Sequence, residues 1–241
     1  MDRTLATFLR TRILAMTIVA ILISFLIVAA QHPFSSSFFE FGTHRSFEGI
    51  IHESPYPTLL LTQPNSSAQL PAFSRVYLAN QGKWGAQDLV TGLNEKRVHL
   101  KGTLIHHHDQ TMIEIVPDSI EIMGKPTLLD KISDKEILGR FTLRGEIVDS
   151  KCYLGVMKPG NLKPHRSCAI RCISGGIPPV FLVRDQTGTA IYFMLVHTDG
   201  STVNKEVLDK VAEPLEITGE VERSGSLLIL KSDPATYKRI G

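Results

Sequence analysis

The residues of this chain most able to carry out chemistry are its cysteines, which all lie in one short segment. The chain has three, Cys152, Cys168 and Cys172, and His165 lies between the first two. If residues 165–172 form two turns of helix, His165, Cys168 and Cys172 project from one helix face. Cys152 can then approach them from the end of a strand. Three thiols and an imidazole form a soft ligand set that suits zinc or copper(I).

The same segment permits three chemical interpretations. An odd number of cysteines in an exported chain allows one disulfide, from Cys152 to Cys168 or Cys172, which leaves the third thiol free or buried. Alternatively, all four residues coordinate one metal ion, and zinc is the simplest ion for three sulfurs and one nitrogen. In the third interpretation Cys168 and Cys172 are a redox-active pair, although their helical spacing is poorer for disulfide exchange than a two-residue separation.

The N-terminal segment has the composition of a membrane anchor. Residues 13–30 form an uncharged, largely apolar run, and residues 1–12 contain three arginines. About twenty apolar residues span the hydrocarbon layer of a bilayer, and flanking arginines favour the cytoplasmic side. We therefore expect a cytoplasmic tail, then an uncleaved transmembrane helix that serves as a signal-anchor. The alternative is a cleaved export signal, because Val28-Ala29-Ala30 resembles a cleavage site.

Either alternative exports the remainder of the chain, so we expect a single-pass protein of the bacterial inner membrane with its C-terminal part in the periplasm. The helix makes the membrane one partner, and we also expect a protein partner in the membrane or periplasm. Nucleic acid is excluded as a partner by the formal net charge of +2 and the lack of a basic block. Because the sequence has no Gly-x-Ser-x-Gly elbow, phosphate loop or His-Glu-x-x-His motif, it favours a non-catalytic role.

An internal repeat organises the rest of the chain. Residues 47–54 and 143–150 both read apolar, x, Gly, x, Ile, x, acid, Ser, and a second glycine-centred pattern is shared by residues 98–104 and 215–221. Alternation of apolar and polar residues at period two predicts strands with one buried face. The repeated glycines suit a bulge or tight bend of the kind that curls a small barrel.

We therefore predict an all-β fold of two tandem modules after the transmembrane helix. The first module spans residues 47–124 and the second residues 135–241, and residues 31–46 form a linker. A small five-stranded barrel with an excursion midway resembles the OB fold. The segment from Asp149 to Pro178 also resembles one found in uncharacterised exported bacterial proteins, a resemblance that implies no particular activity.

The two repeats differ in one respect that bears on function. The second repeat contains the long Cys/His excursion, whereas the first contains no cysteine. Long loops in compact domains are usually functional, so we expect the second module to carry the site and the first to serve as scaffold or docking surface. Glu53 and Asp149 occupy equivalent positions, where we expect them to bond backbone amides. We expect Trp84, the only tryptophan, to fill the core.

Overall fold

An N-terminal helix, α1 (Arg3–Ala30), precedes the rest of the chain and forms a unit of its own. It is long and apolar enough to span a membrane, since the window Arg10–Ile27 has a mean hydropathy of 2.0 and none of it is buried. A signal sequence shares these properties. The structure, a computed structural model, describes residues 3–30, 37–66, 68–107, 110–124, 135–157, 165–186 and 188–240.

The first module is a closed five-stranded barrel. Its strands are β2 (Arg45–His52), β3 (Thr58–Leu61), β4 (Arg75–Ala79), β5 (Arg97–His107) and β6 (Gln110–Ile115). They are hydrogen-bonded in the order β2-β3-β4-β6-β5, and β5 pairs with β2 to close the barrel. Only β4 and β6 run parallel among these pairs. Three further elements belong to this module: β1 (Phe38–Phe39), α2 (Gln87–Val90) and β7 (Glu121–Gly124).

The second module repeats this barrel strand for strand. Its strands are β8 (Lys135–Asp149), β9 (Pro179–Arg184), β10 (Ala190–Val196), β11 (Pro214–Ser224) and β12 (Leu227–Lys231). These strands are hydrogen-bonded in the order β8-β9-β10-β12-β11, and β8 pairs with β11 to close the barrel. The parallel pair again joins the third and fifth strands of the module. The prediction of two tandem OB-like barrels is therefore confirmed. A two-residue strand, β13 (Lys238–Arg239), pairs with β11, and the helix α3 (Arg166–Ser174) lies between β8 and β9.

The repeated glycines explain why the two sequence motifs specify the same curvature. A Cβ at Gly49 would lie 2.4 Å from the carbonyl oxygen of Leu60, and one at Gly145 would lie 2.1 Å from that of Leu182. Both distances are too short for real atoms, so each glycine allows the next strand to cross close to the backbone. The barrel also includes part of the predicted linker, because β1 pairs with β5 and β2 begins at Arg45.

The two barrels share hydrophobic packing in addition to their own cores. One buried cluster combines Tyr77 and Ile105 of the first barrel with Leu182 and Met194 of the second, and it also contains Cys172. Full burial of such a side chain stabilises the folded state by roughly 1.5–3 kcal/mol. The cysteine segment is consequently packed against both barrels, and the chain from Ser36 to Gly241 forms one compact unit.

His52 makes the stability of the first barrel depend on pH. Burial, with the positive charges of Arg75 and Lys135, lowers the pKa of His52 to about 4. Its Nε2 atom is buried and has no hydrogen-bond partner among the residues that the structure describes. The unfolded chain therefore binds a proton at His52 below about pH 6.5, whereas the folded chain does not until about pH 4. The resulting contribution to stability is present above pH 6.5 and is lost as the pH falls through this window.

A His52→Leu variant tests this dependence. Between about pH 7.5 and about pH 5, we expect the free energy of unfolding to fall less in this variant than in the unchanged protein. The difference between the two losses should be about 1 kcal/mol after allowance for the partial exposure of the ring. Urea unfolding followed by circular dichroism at both pH values measures the difference. His99→Leu, a substitution on the neighbouring strand, is the control. If the free energy of unfolding falls equally with pH in His52→Leu and in the unchanged protein, His52 does not make the stability depend on pH.

Candidate metal centre

The cysteine segment begins with a turn that a carboxylate holds in place. Strand β8 ends at Asp149, whose Oδ1 atom accepts hydrogen bonds from the backbone amides of Lys151 (3.1 Å) and Cys152 (2.6 Å). The equivalent residue of the first repeat, Glu53, accepts from the amides of residues 93–94, both at 2.7 Å. The predicted structural role of these two acids is confirmed. After the turn, one π-helical turn at Cys152–Val156 directs Cys152 towards α3.

Helix α3 presents the other two cysteines on one face. Cys168 and Cys172 lie one turn apart on this helix, so their side chains point in the same direction. His165 is the residue immediately before the first helical turn. The helix predicted for residues 165–172 is therefore present, and Cys152 approaches it from the end of a strand as expected.

The three sulfur atoms form a compact triangle. The Sγ atom of Cys152 lies 3.5 Å from that of Cys172 and 3.5 Å from that of Cys168, and all three atoms lie within 4.8 Å of one another. All three cysteines are free thiols. A tetrahedral ion with metal–sulfur bonds of about 2.3 Å separates its sulfur ligands by about 3.8 Å. The triangle thus has the size that one soft metal ion requires, with little movement of the side chains.

His165 lies beside this triangle but outside it. Its ring nitrogens are not among the candidate ligand atoms that lie within 4.8 Å of one another, and its side chain is exposed. It lines a cavity of about 10 Å³ together with Cys152, Cys168 and Met157. A cavity of this size has room for about one water molecule or one small ion. Among the residues that the structure describes, the candidate metal ligands are therefore the three sulfur atoms. The His165 imidazole lies beside them, in the lining of the cavity.

A lysine from the first barrel completes the surroundings of the thiols. Lys83 lies between β4 and α2, and its Nζ atom is 2.8 Å from the Sγ of Cys168 and 3.9 Å from that of Cys172. The hydrogen bond to Cys168 raises the pKa of Lys83. An ammonium group at this distance stabilises a thiolate. The distribution of cysteines indicated a site in the second module alone. The structure shows instead that residues of both modules build it.

The surroundings raise the pKa of two of the thiols, Cys152 and Cys168, in spite of this lysine. The hydrogen bond between Cys152 and Cys172, together with burial and the charge of Asp149, raises the pKa of Cys152. Burial also raises the pKa of Cys168, and the Lys83 ammonium offsets part of that effect. A metal ion must therefore displace protons as it binds, so its affinity falls as the pH falls.

A buried lysine joins the site to the first barrel. The side chain of Lys151 is 1% exposed, and its Nζ atom forms a 2.5 Å ion pair with Glu114. The same ammonium donates to the backbone carbonyls of Asn80 (2.6 Å) and Gly82 (2.7 Å), in the segment that carries Lys83. Three partners of this kind satisfy all the donors of an ammonium group. Lys151 thus holds the Lys83 segment against the cysteines.

The two glycines after α3 form the other half of this contact. The amide of Gly85 donates to the carbonyl of Gly175 at 2.8 Å. A Cβ at Gly175 would lie 2.0 Å from the carbonyl oxygen of Lys83, and one at Gly85 would lie 2.4 Å from that of Gly176. Only glycine permits this approach of two backbones. The pair Gly175-Gly176 therefore serves as a docking surface for the first barrel.

One expectation about the first module needs correction at this site, and two residues of the site were missed. Trp84 does not fill the core, because its side chain is 57% exposed. The segment around it contacts the second barrel through its glycine and lysine backbone, which directs the indole outwards. Sequence reasoning did not identify Lys83 or Lys151 as site residues. The turn-like sequence Gln81-Gly-Lys-Trp-Gly85 was the local signal for Lys83, and Lys151 was marked only by its place directly before Cys152.

Comparison with known proteins does not assign this chain to a family. No protein-family model matches it, and no curated protein matches it in sequence. The chemistry of the site is therefore inferred from its geometry.

Replacement of Lys151 tests whether the barrels depend on this contact. Lys151→Met leaves Glu114 and two backbone carbonyls without their shared donor, so we expect a loss of about 3–5 kcal/mol in the free energy of unfolding. Urea unfolding measures that loss, and hydrogen exchange should show faster exchange at residues 80–85. Lys101→Met, at an exposed lysine of β5, is the control and should change stability by less than about 0.5 kcal/mol. Unchanged exchange at residues 80–85 would contradict the role assigned to Lys151.

Proposed function

We propose that this protein is a membrane-anchored accessory protein that faces the periplasm and holds a soft metal ion, zinc or copper(I). The observation that carries the proposal is the group of three free thiols, whose sulfur atoms lie within 4.8 Å of one another. Thiolates are the protein ligands that these two ions prefer. The thiols lie on a helix, at the end of a strand and against a packed core. Rigid elements of this kind keep ligands at a fixed spacing.

His165 is the fourth residue proposed for the site. It precedes α3 directly and lines the same cavity as Cys152 and Cys168. Because it stands at the start of a helix and its side chain is exposed, a rotation about its side-chain bonds can bring the imidazole towards the cavity without moving the cysteines. Zinc requires such a fourth ligand, or a water molecule in its place.

The proposed partner is a redox complex in the membrane or periplasm, onto which this protein docks or to which it hands its metal. Cys168 is partly exposed while Cys152 and Cys172 are buried, so one ligand is accessible for exchange with a partner. Exposed Trp84 lies next to the site, and aromatic side chains of this kind are enriched in protein interfaces. The N-terminal helix, which is long and apolar enough to span a membrane, supports the proposed membrane location.

A thiol–disulfide oxidoreductase is the second candidate function. Cys152 contacts both other sulfurs at 3.5 Å, so either pairing requires only a small movement. The Lys83 ammonium next to Cys168 favours the thiolate that attacks a disulfide. A permanent disulfide from Cys152 would instead make the segment purely structural and leave one free thiol.

Metal analysis of the purified full-length protein separates these functions. We expect about one zinc or copper ion per chain, with no disulfide, and we expect Cys168→Ser to lose at least nine-tenths of the metal because three-point attachment is broken. Ser167→Ala, at an exposed neighbour on α3, is the matched control and should keep its metal. Elemental analysis gives the number of metal ions per chain, and thiol counting under anaerobic conditions gives the number of free thiols per chain. A metal-free protein with one free thiol per chain would replace this proposal with the structural disulfide.

Sequencing the N-terminus of the membrane-bound protein tests the anchor. The length and hydropathy of α1 lead us to expect an intact helix, with the C-terminal part accessible to protease added from the periplasmic side. Residues 13–30 then remain attached to the barrels in the membrane fraction. A mature protein that starts at residue 31 and appears in the soluble periplasmic fraction would overturn the anchor, although export itself would stand.

A further inference from the structure

The sulfur atoms that lie together at the site number three, which leaves zinc one ligand short unless a water molecule supplies the fourth. Within the described residues, the ligand atoms that lie close together are the sulfurs of Cys152, Cys168 and Cys172, with no histidine nitrogen or carboxylate oxygen in the group. The nearby carboxylate of Asp149 lines the cavity beside the sulfurs, and its Oδ1 atom accepts hydrogen bonds from two backbone amides. Structural zinc is almost always four-coordinate, whereas soft thiolate ligands alone satisfy copper(I).

The ammonium of Lys83 beside the sulfurs favours a monovalent ion, whereas the buried carboxylate of Asp149 close to Cys152 acts in the opposite sense. The Nζ atom of Lys83 lies 2.8 Å from one sulfur and 3.9 Å from another, so any ion shared by these sulfurs lies within a few ångströms of an ammonium. Coulomb repulsion by this ammonium is twice as large for a dication as for a monocation at the same distance. Lys83 stabilises the thiolates by the same amount whichever ion binds. Its repulsion of the ion is what differs, and this repulsion shifts the selectivity towards the monovalent ion.

The cavity next to the sulfurs provides one more soft donor. Met157 lines it together with Cys152 and Cys168, and a thioether binds copper(I) but is a poor ligand for zinc. Met157 is partly buried against the same hydrophobic cluster as the cysteines. Met157 therefore places a thioether at the same cavity that Cys152 and Cys168 line.

We propose that the site is specific for copper(I), bound by Cys152, Cys168 and Cys172, with Lys83 selecting the monovalent ion and Met157 on its route of access. This inference rests on the proposed metal-binding function and names its ion. Binding releases the thiol protons to solvent and leaves the oxidation state of copper unchanged. Neither His165 nor a water molecule is then a required ligand.

The test uses the full-length protein, reduced and anaerobic, with copper(I) supplied as its acetonitrile complex and zinc(II) as a simple salt. Competition against a chromogenic chelator for each ion gives the two affinities. We expect one copper(I) per chain, held at least a hundredfold more tightly than zinc, and X-ray absorption should show three sulfur neighbours without nitrogen. His165→Ala should leave both the copper affinity and this spectrum unchanged.

Two pairs of variants test the residues that set the selectivity. Lys83→Leu should reduce the ratio of copper to zinc affinity at least tenfold, while Lys83→Arg should restore it and Lys101→Leu should not change it. Met157→Leu should slow copper uptake at least threefold without affecting zinc, and Met123→Leu, at an exposed methionine of β7, is its control. Unchanged circular dichroism confirms in each case that the variant is folded.

The possible failures are distinguishable. Zinc bound more tightly than copper, with a nitrogen neighbour that disappears in His165→Ala, would overturn the copper assignment and leave the metal-binding function intact. Copper binding with an unchanged ion ratio in Lys83→Leu would refute the role of the lysine. A fully reduced protein that binds neither ion would overturn the inference together with the proposed function.

Discussion

The buried ammonium of Lys151 is the interaction on which the arrangement of the site depends. It lies between the barrels with a carboxylate and two backbone carbonyls as partners, and it is 1% exposed. An unpaired buried charge is far more costly than a paired one, so the two barrels are held in the one arrangement that supplies all three partners. Lys151 directly precedes Cys152, and the position of the first thiol is therefore coupled to the docking of the first barrel.

This coupling explains how a long excursion can carry an ordered site. The segment between β8 and β9 is anchored at Asp149, packed through Cys172 into the shared hydrophobic cluster, and covered at Gly175 by the backbone of Lys83. A ligand set that is ordered before the metal arrives loses less conformational entropy on binding. The first barrel contributes no sulfur, but it supplies the cation and much of the rigid surface against which the thiols are held.

The sequence predicted the elements of the site better than their surroundings. The glycine-centred repeat indicated two barrels, and the helical spacing of Cys168 and Cys172 indicated a shared face, because both patterns are local. Lys83 was missed because its contact with Cys168 joins residues that are 85 positions apart, and a single lysine in a turn has no periodic signal. Trp84 was assigned to the core on residue type alone, whereas close backbone docking at Gly175 directs it to the surface.

If the proposed ion is bound, the chemical properties of the site favour its exchange over permanent storage. Two thiols are buried, but Cys168 is partly exposed and lines a cavity together with Met157 and His165. The raised pKa of Cys168 has a related consequence, since reprotonation of this thiol competes with metal binding and assists release. Lys83 opposes that reprotonation through its hydrogen bond to the same sulfur. A partner that drew Lys83 away from Cys168 would therefore weaken the hold on a bound ion at the moment of contact. The proposed transfer role would require this property, because the ion should leave only when its acceptor is present.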